Sequence, residues 1–193
     1  GSTHRDMPHV YGVSYFSSKG PTGDGRMKPD LVAPGEKILS CAAGRMRDAM
    51  QGKTDTSGNP VGNFDYVEDS GTSMAAPMVS GVSALFWQWY KNTHGVDPSP
   101  ALVKAVLSAS AENLKGKLNA DGQPMPQRPN RFSGWGRLNL SAILKPSAPI
   151  WFHDQAHVLA SSGETWGTRL EPVDANLPVR LMLAWTDAPG PGT

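Results

Sequence analysis

One cysteine, Cys41, in 193 residues excludes a disulfide framework and a cysteine-based zinc site. Its expected place is structural, in a strand, rather than as a reactive thiol. Charge of one sign is equally scarce: 18 Lys and Arg against 17 Asp and Glu leave a net charge of +1. No basic or acidic excess directs the chain to nucleic acid or to an anionic membrane surface. Apolar residues make up 38% of the chain, yet no run nears the roughly 18 residues that cross a bilayer. Residues 1–6 are polar and carry no signal-peptide pattern. Of five histidines only His153 and His157 have an i, i+4 spacing. No Glu lies between them and Pro149 stands just upstream, so a zinc-binding helix is not expected there.

Glycine and proline are plentiful, at 21 and 17 residues, which implies many turns and long surface loops without low-complexity sequence. Residues 10–16 alternate like a strand, and 17–25 are almost pure turn chemistry. The glycines at 20, 23 and 25 are not followed by Gly-Lys-Ser/Thr, so a phosphate-binding loop is not indicated. Pro29 and Pro34 bracket a short apolar segment. Residues 38–42 and 64–67 read as further strands, with a polar loop over 44–63.

From Thr72 the period changes. Ala75, Met78, Val79, Val82, Leu85, Phe86 and Trp89 recur at three and four residues, the pattern of a buried helical face. The helix is expected to run to about Asn92 and stop near Gly95, with Thr72, Ser70 or Gly71 as its cap. Pro77 falls early enough in it to be tolerated. A second helix follows Ser99 as N-cap and Pro100 as first helical residue, with Leu102, Val103, Val106 and Leu107 as its face. Residues 115–134 read as a loop. Beyond 145–149 the punctuation by Gly163 and Pro172 and the alternation over 179–185 are all-β signals. A boundary is therefore expected near 146–150, giving units at 1–146 and 150–193. The second is too short to close a β-sandwich.

The chemistry concentrates in Glu68-Asp69-Ser70-Gly71-Thr72-Ser73-Met74-Ala75-Ala76-Pro77-Met78-Val79-Ser80-Gly81. A serine hydroxyl is a weak nucleophile without a neighbouring base. It also needs donors aimed at the oxyanion that forms on the attacked carbonyl. The first turn of a helix supplies some of these, through unpaired N–H groups and the helix dipole. Taken alone, Thr72 and Ser73 fit an ordinary helix start as well. The Gly-x-Ser-x-Gly nucleophile turn of α/β-hydrolases is ruled out, because position 75 is Ala.

Gly71-Thr72-Ser73-Met74-Ala75-Ala76-Pro77 with Val79-Ser80-Gly81 closely resembles the serine signature of the subtilases, the subtilisin-like serine peptidases. Phe16-Ser17-Ser18-Lys19-Gly20-Pro21-Thr22 and Asp24-Gly25-Arg26-Met27-Lys28-Pro29-Asp30-Leu31-Val32-Ala33-Pro34-Gly35 resemble the family segment that precedes the serine. Ser99-Pro100-Ala101-Leu102-Val103-Lys104 and Gly134-Trp135-Gly136-Arg137-Leu138-Asn139 are similar to later segments, in order. Leu183-Ala184-Trp185-Thr186-Asp187-Ala188-Pro189 is similar to the β-sandwich of one branch of large subtilases. The resemblance implies an α/β fold: the C-terminal part of a parallel-sheet catalytic domain, followed by the start of a jelly-roll-like β-sandwich. It implies that Ser73 is the catalytic nucleophile and that its N–H helps form the oxyanion hole. Met78 departs from the His of many relatives, outside the triad. Met74 becomes an expected site of inactivating oxidation.

Further implications of the resemblance are a protein or peptide substrate, secretion, no cofactor required for catalysis, and structural calcium, with Asp24, Asp65 and Asp187 as loose candidates. Neither nucleic acid nor membrane is an expected partner. The sequon Asn139-Leu140-Ser141 is attributed to chance.

The triad partners are not where the resemblance requires them. The subtilase order is Asp, His, Ser, so both belong upstream of Ser73, together with an oxyanion-hole Asn. No His-Gly-Thr occurs in the chain; His94-Gly95-Val96 follows the serine at the far end of its helix. Asp69-Ser70-Gly71 and Asp55-Thr56-Ser57-Gly58 mimic the acid motif at unsuitable positions, and Asp30 corresponds to a structural turn. The expectation is a chain that carries the nucleophile alone, is inactive by itself, and has the missing N-terminal part of the peptidase domain as its partner. The alternative is a degenerate, non-catalytic subtilase or a binding or assembly module.

Overall fold

The computed structural model describes residues 2–3, 12–42, 56–57, 66–157, 159–172, 174, 176 and 179–186. Its longest element is the helix α1, Thr72–His94. It stops as the sequence suggests: Gly95 takes the left-handed conformation (φ 75°) and its N–H donates to the Lys91 carbonyl over 2.8 Å. Helix α2, Pro100–Ser110, starts at the expected cap, with the Leu102 N–H donating to Ser99 Oγ at 3.0 Å. A short third helix, α3, Leu140–Leu144, is capped by the Asn139 side chain, which accepts from the Ala142 N–H at 3.1 Å. Asn139 of the sequon thus has a structural task.

The three helices among the described residues meet in one apolar cluster. Phe86 and Tyr90 of α1, Leu102, Val106 and Leu107 of α2 and Ile143 of α3 are buried together. Val79, Val82 and Trp89 pack on it, as does Phe152 from the segment after α3. Three members of the expected α1 face are not in it: Ala75 is buried outside the cluster, and Met78 and Leu85 are 41% and 47% exposed. The described elements cover one side of α1, whereas the apolar pattern runs around it more widely.

A second cluster, Val13, Val32, Leu114, Met125 and Phe132, lies under the loops. Here Gly134 and Gly136 are needed. At Gly134 (φ 56°) a Cβ would sit 2.1 Å from the Pro29 carbonyl oxygen. At Gly136 (φ 124°) it would sit 2.0 Å from that of Glu112. Their absence of side chains lets the strand-like segment around Arg137 lie between Val32 and Glu112. The Val32 N–H donates to Gly136 O and the Leu138 N–H to Val32 O.

The strands are short. β1, Ser2–Thr3, pairs in parallel with β2, Ala33–Pro34, in the register Ser2↔Ala33 and Thr3↔Pro34. β3, Ile38–Cys41, pairs antiparallel with β4, Tyr66–Asp69, from Ile38↔Asp69 to Cys41↔Tyr66. The parallel pairing extends over two residue pairs, so the full parallel sheet expected from the resemblance is not found among the described residues.

Two strand expectations differ from the structure. Residues 12–17 hold a single bridge position at Val13 and then turn, with the Ser17 N–H donating to Ser14 O at 2.9 Å. Residues 179–186 form no strand ladder within the described structure. Alternation specifies two faces, but only a neighbouring edge turns it into a ladder. The expected loop over 44–63 lies almost wholly outside the described residues, as do Phe64 and Asp65.

Candidate active site

Ser73 is the second residue of α1 and is exposed. The helix is capped by Gly71, with no side chain hydrogen-bonded into its first turn. Met74 and Ala75 direct their N–H groups at Gly71 O (3.1 and 3.4 Å). The N–H groups of Thr72 and Ser73 have no intrahelical acceptor in reach, as for any helix start. Exposed hydroxyl, amides without an intrahelical acceptor and the positive end of the dipole therefore coincide at one point.

Gly71 does not act through conformational freedom. Its φ of 169° is extended backbone open to any residue, and a Cβ there would meet the Met74 sulfur at 3.4 Å and the Ser73 nitrogen at 3.7 Å, both ordinary contacts. What holds it is a backbone bond: the Gly71 N–H donates to Gly35 O over 2.7 Å. One residue earlier, Ser70 Oγ accepts from the Lys37 N–H over 2.8 Å. These contacts, which the sequence does not reveal, brace the entry to the serine.

The sequence decoys have local tasks. Asp69 Oδ1 accepts the Ser70 N–H at 2.7 Å; Asp55 lies outside the described residues. His94 is about 30 Å from Ser73 along the helix axis at 1.5 Å per residue, and packs on Tyr90 with ring centroids 4.3 Å apart. His153 lies between Trp151 and Trp166 in a stack, 5.4 and 4.2 Å away, and His157 faces Trp166. His4 and His9 fall outside the described residues. Cys41 is in a strand as expected, but exposed.

Asp30 is the most engaged carboxylate near the serine helix. It pairs with Lys28 and, at 3.0 Å, with Lys104 of α2. Partial burial pushes its carboxyl up, but the hydrogen bonds and charges of the two lysines outweigh this and hold it below the ordinary carboxylate range. It also lines a groove of about 240 Å³ with Leu31, Thr72, Ala75, Ala76 and Val79. Thr72, Ala75, Ala76 and Val79 point between about 60° and 160° around the helix from Ser73, so the groove lies to one side of the serine and Ser73 does not line it. Ser73 instead shares a face with Pro77, Ser80 and Ala84, all exposed.

Asp24 does not fit a calcium site: its carboxylate is taken by the Thr22 hydroxyl and by Arg26 Nε at 2.7 Å. Asp65 and Asp187 are outside the described residues, among which no group of three or more His, Cys, Asp or Glu gathers. No helix among the described residues is long and apolar enough to cross a membrane.

These features define the class: an α/β protein with an exposed serine in the first turn of its longest helix. The model of the subtilase family matches residues 11–136, more than half of the chain, and the chain belongs to that family. Among curated proteins, it is 30% identical over 182 residues to the serine protease/ABC transporter B family protein tagD of Dictyostelium discoideum, covering 78% of this chain and 10% of that protein. It is 37% identical over 119 residues to the C5a peptidase of Streptococcus pyogenes, covering 58% and 8%. Among solved structures, the CspB protease of Clostridium perfringens matches at 28% identity and a TM-score of 0.47, covering 74% of this chain and 26% of that one. The chain spans about a tenth of the length of these curated relatives.

Proposed function

We propose that Ser73 is the nucleophile of a subtilisin-like serine endopeptidase, and that the activating Asp and His come from polypeptide outside these 193 residues. The observation that carries this reading is the exposed Ser73 at the side-chain-free start of α1, within the family-matched segment. In the complete protein, a histidine takes the Ser73 proton as Oγ attacks the peptide carbonyl. It returns that proton to the leaving amine, and water then hydrolyses the acyl-enzyme. Amides at the helix start face the oxyanion in both steps. The open face at Ser73, Pro77, Ser80 and Ala84 supports a further element being laid against α1 to bring the base.

In the same reading residues 1–146 are the C-terminal part of the peptidase domain, and 150–193 begin a β-sandwich. The alternating exposure of residues 181–185, with Leu181 and Leu183 the more open side, supports a strand pattern awaiting its neighbour. A protein or peptide substrate and a secreted location follow from the family reading. Ser73→Ala in the complete protein tests the assignment. Hydrolysis of a peptide substrate is expected to fall to background while the melting temperature holds; hydrolysis at the unsubstituted rate would overturn it.

A further inference from the structure

Resting on the reading of Ser73 as nucleophile, the geometry points to Ser70 as a positioning residue that fixes Ser73 through a clamp on the turn at residues 35–37. Two short turns face each other. One joins β2, ending at Pro34, to β3, starting at Ile38; the other joins β4, ending at Asp69, to α1, starting at Thr72. Two hydrogen bonds cross between them: Gly71 N–H to Gly35 O at 2.7 Å, and Lys37 N–H to Ser70 Oγ at 2.8 Å. They continue the β3–β4 ladder, whose last pair is Ile38↔Asp69, up to the helix. Asp69 Oδ1 holds the Ser70 N–H at 2.7 Å, so Ser70 is tied at both its backbone and its hydroxyl.

Lys37 adopts a φ of 52°, the left-handed region that a lysine seldom enters. This conformation accompanies the aim of its backbone N–H at Ser70, and its side chain plays no part in that bond. The clamp matters because α1 has no side-chain cap. The placement of its first turn is therefore set from the preceding turn, three residues before the nucleophile. Ser70 is exposed, so water can replace its bond at small expense to stability. Water does not hold a distance, however, and a serine attack depends on reacting atoms held near contact geometry. Loss of Ser70 Oγ thus acts on the reaction more than on the fold.

The test uses the complete peptidase, a fluorophosphonate probe and a peptide substrate. Ser70→Ala is expected to lower both the labelling rate and kcat about tenfold, with KM and melting temperature near those of the unsubstituted protein. Ser70→Thr, which keeps an acceptor oxygen, is expected to restore most of the rate. An S70A rate equal to the unsubstituted one, or an S70T rate as low as S70A, removes the clamp while leaving the peptidase reading intact. Failure of the unsubstituted protein to label at Ser73 removes both.

Discussion

Asp30 carries the clearest pH dependence at the scale of single residues. Its carboxyl is held below the ordinary carboxylate range when folded, because Lys28 and Lys104 outweigh its partial burial. A lowered value means stability that is present above the ordinary carboxylate range and lost as pH falls through the folded value. Asp30→Asn is expected to lower the melting temperature at pH 7, by a margin that narrows as pH falls below the ordinary carboxylate range. With the carboxylate about a third exposed, solvent screening keeps the effect under about 1 kcal/mol. Equal differences at both pH values would contradict the ion-pair account. At this scale Ser73 stands out as a candidate because its motif is contiguous. The Ser70–Lys37 clamp does not, since nothing in the sequence marks a lysine for positive φ. Asp69 matches an acid motif but stands at an unsuitable position, and in the structure it serves its neighbour's backbone.

Elements whose ends are written locally were read well. Ser99, Pro100 and Gly95 mark α1 and α2 because caps and left-handed stops need only adjacent residues. The structure adds a contact across sequence: Asp154 accepts both the Ser99 N–H (2.7 Å) and its hydroxyl (2.6 Å), and Arg180 Nη1 donates to Ala109 O at 2.8 Å. A carboxylate thus lies at the positive end of α2 and a guanidinium at its negative end. Asp154→Ala is expected to destabilise by about 1 kcal/mol in denaturant unfolding; no change would mean that water serves Ser99 as well. Gly134→Ala is expected to be more severe, about 2–4 kcal/mol, since its Cβ would enter the Pro29 and Asp30 carbonyls. A fully stable G134A variant would mean that the segment shifts freely. Strands were read less well: alternation over 10–16 and 179–185 names two faces but not the partner that makes a ladder.

Across the whole chain, family membership follows from several segments in order, and the structure explains why they are spaced so. Residues 134–138 seat 30–32, β2 leads on to Gly35, and Gly35 holds Gly71 at the start of the serine helix. The exposure of Met78 and Leu85 was not legible, because an apolar residue looks the same whether its neighbour is within this chain or outside it. In the proposed function Ser73 is a nucleophile whose activating partners come from polypeptide outside these 193 residues. Fluorophosphonate labelling with the modified residue mapped by mass spectrometry tests it most directly, run on the complete protein and on this chain alone. The expected result is one adduct, on Ser73, in the complete protein and none in the isolated chain. An unlabelled Ser73 in the complete protein, or rapid labelling of the chain by itself, would contradict the account.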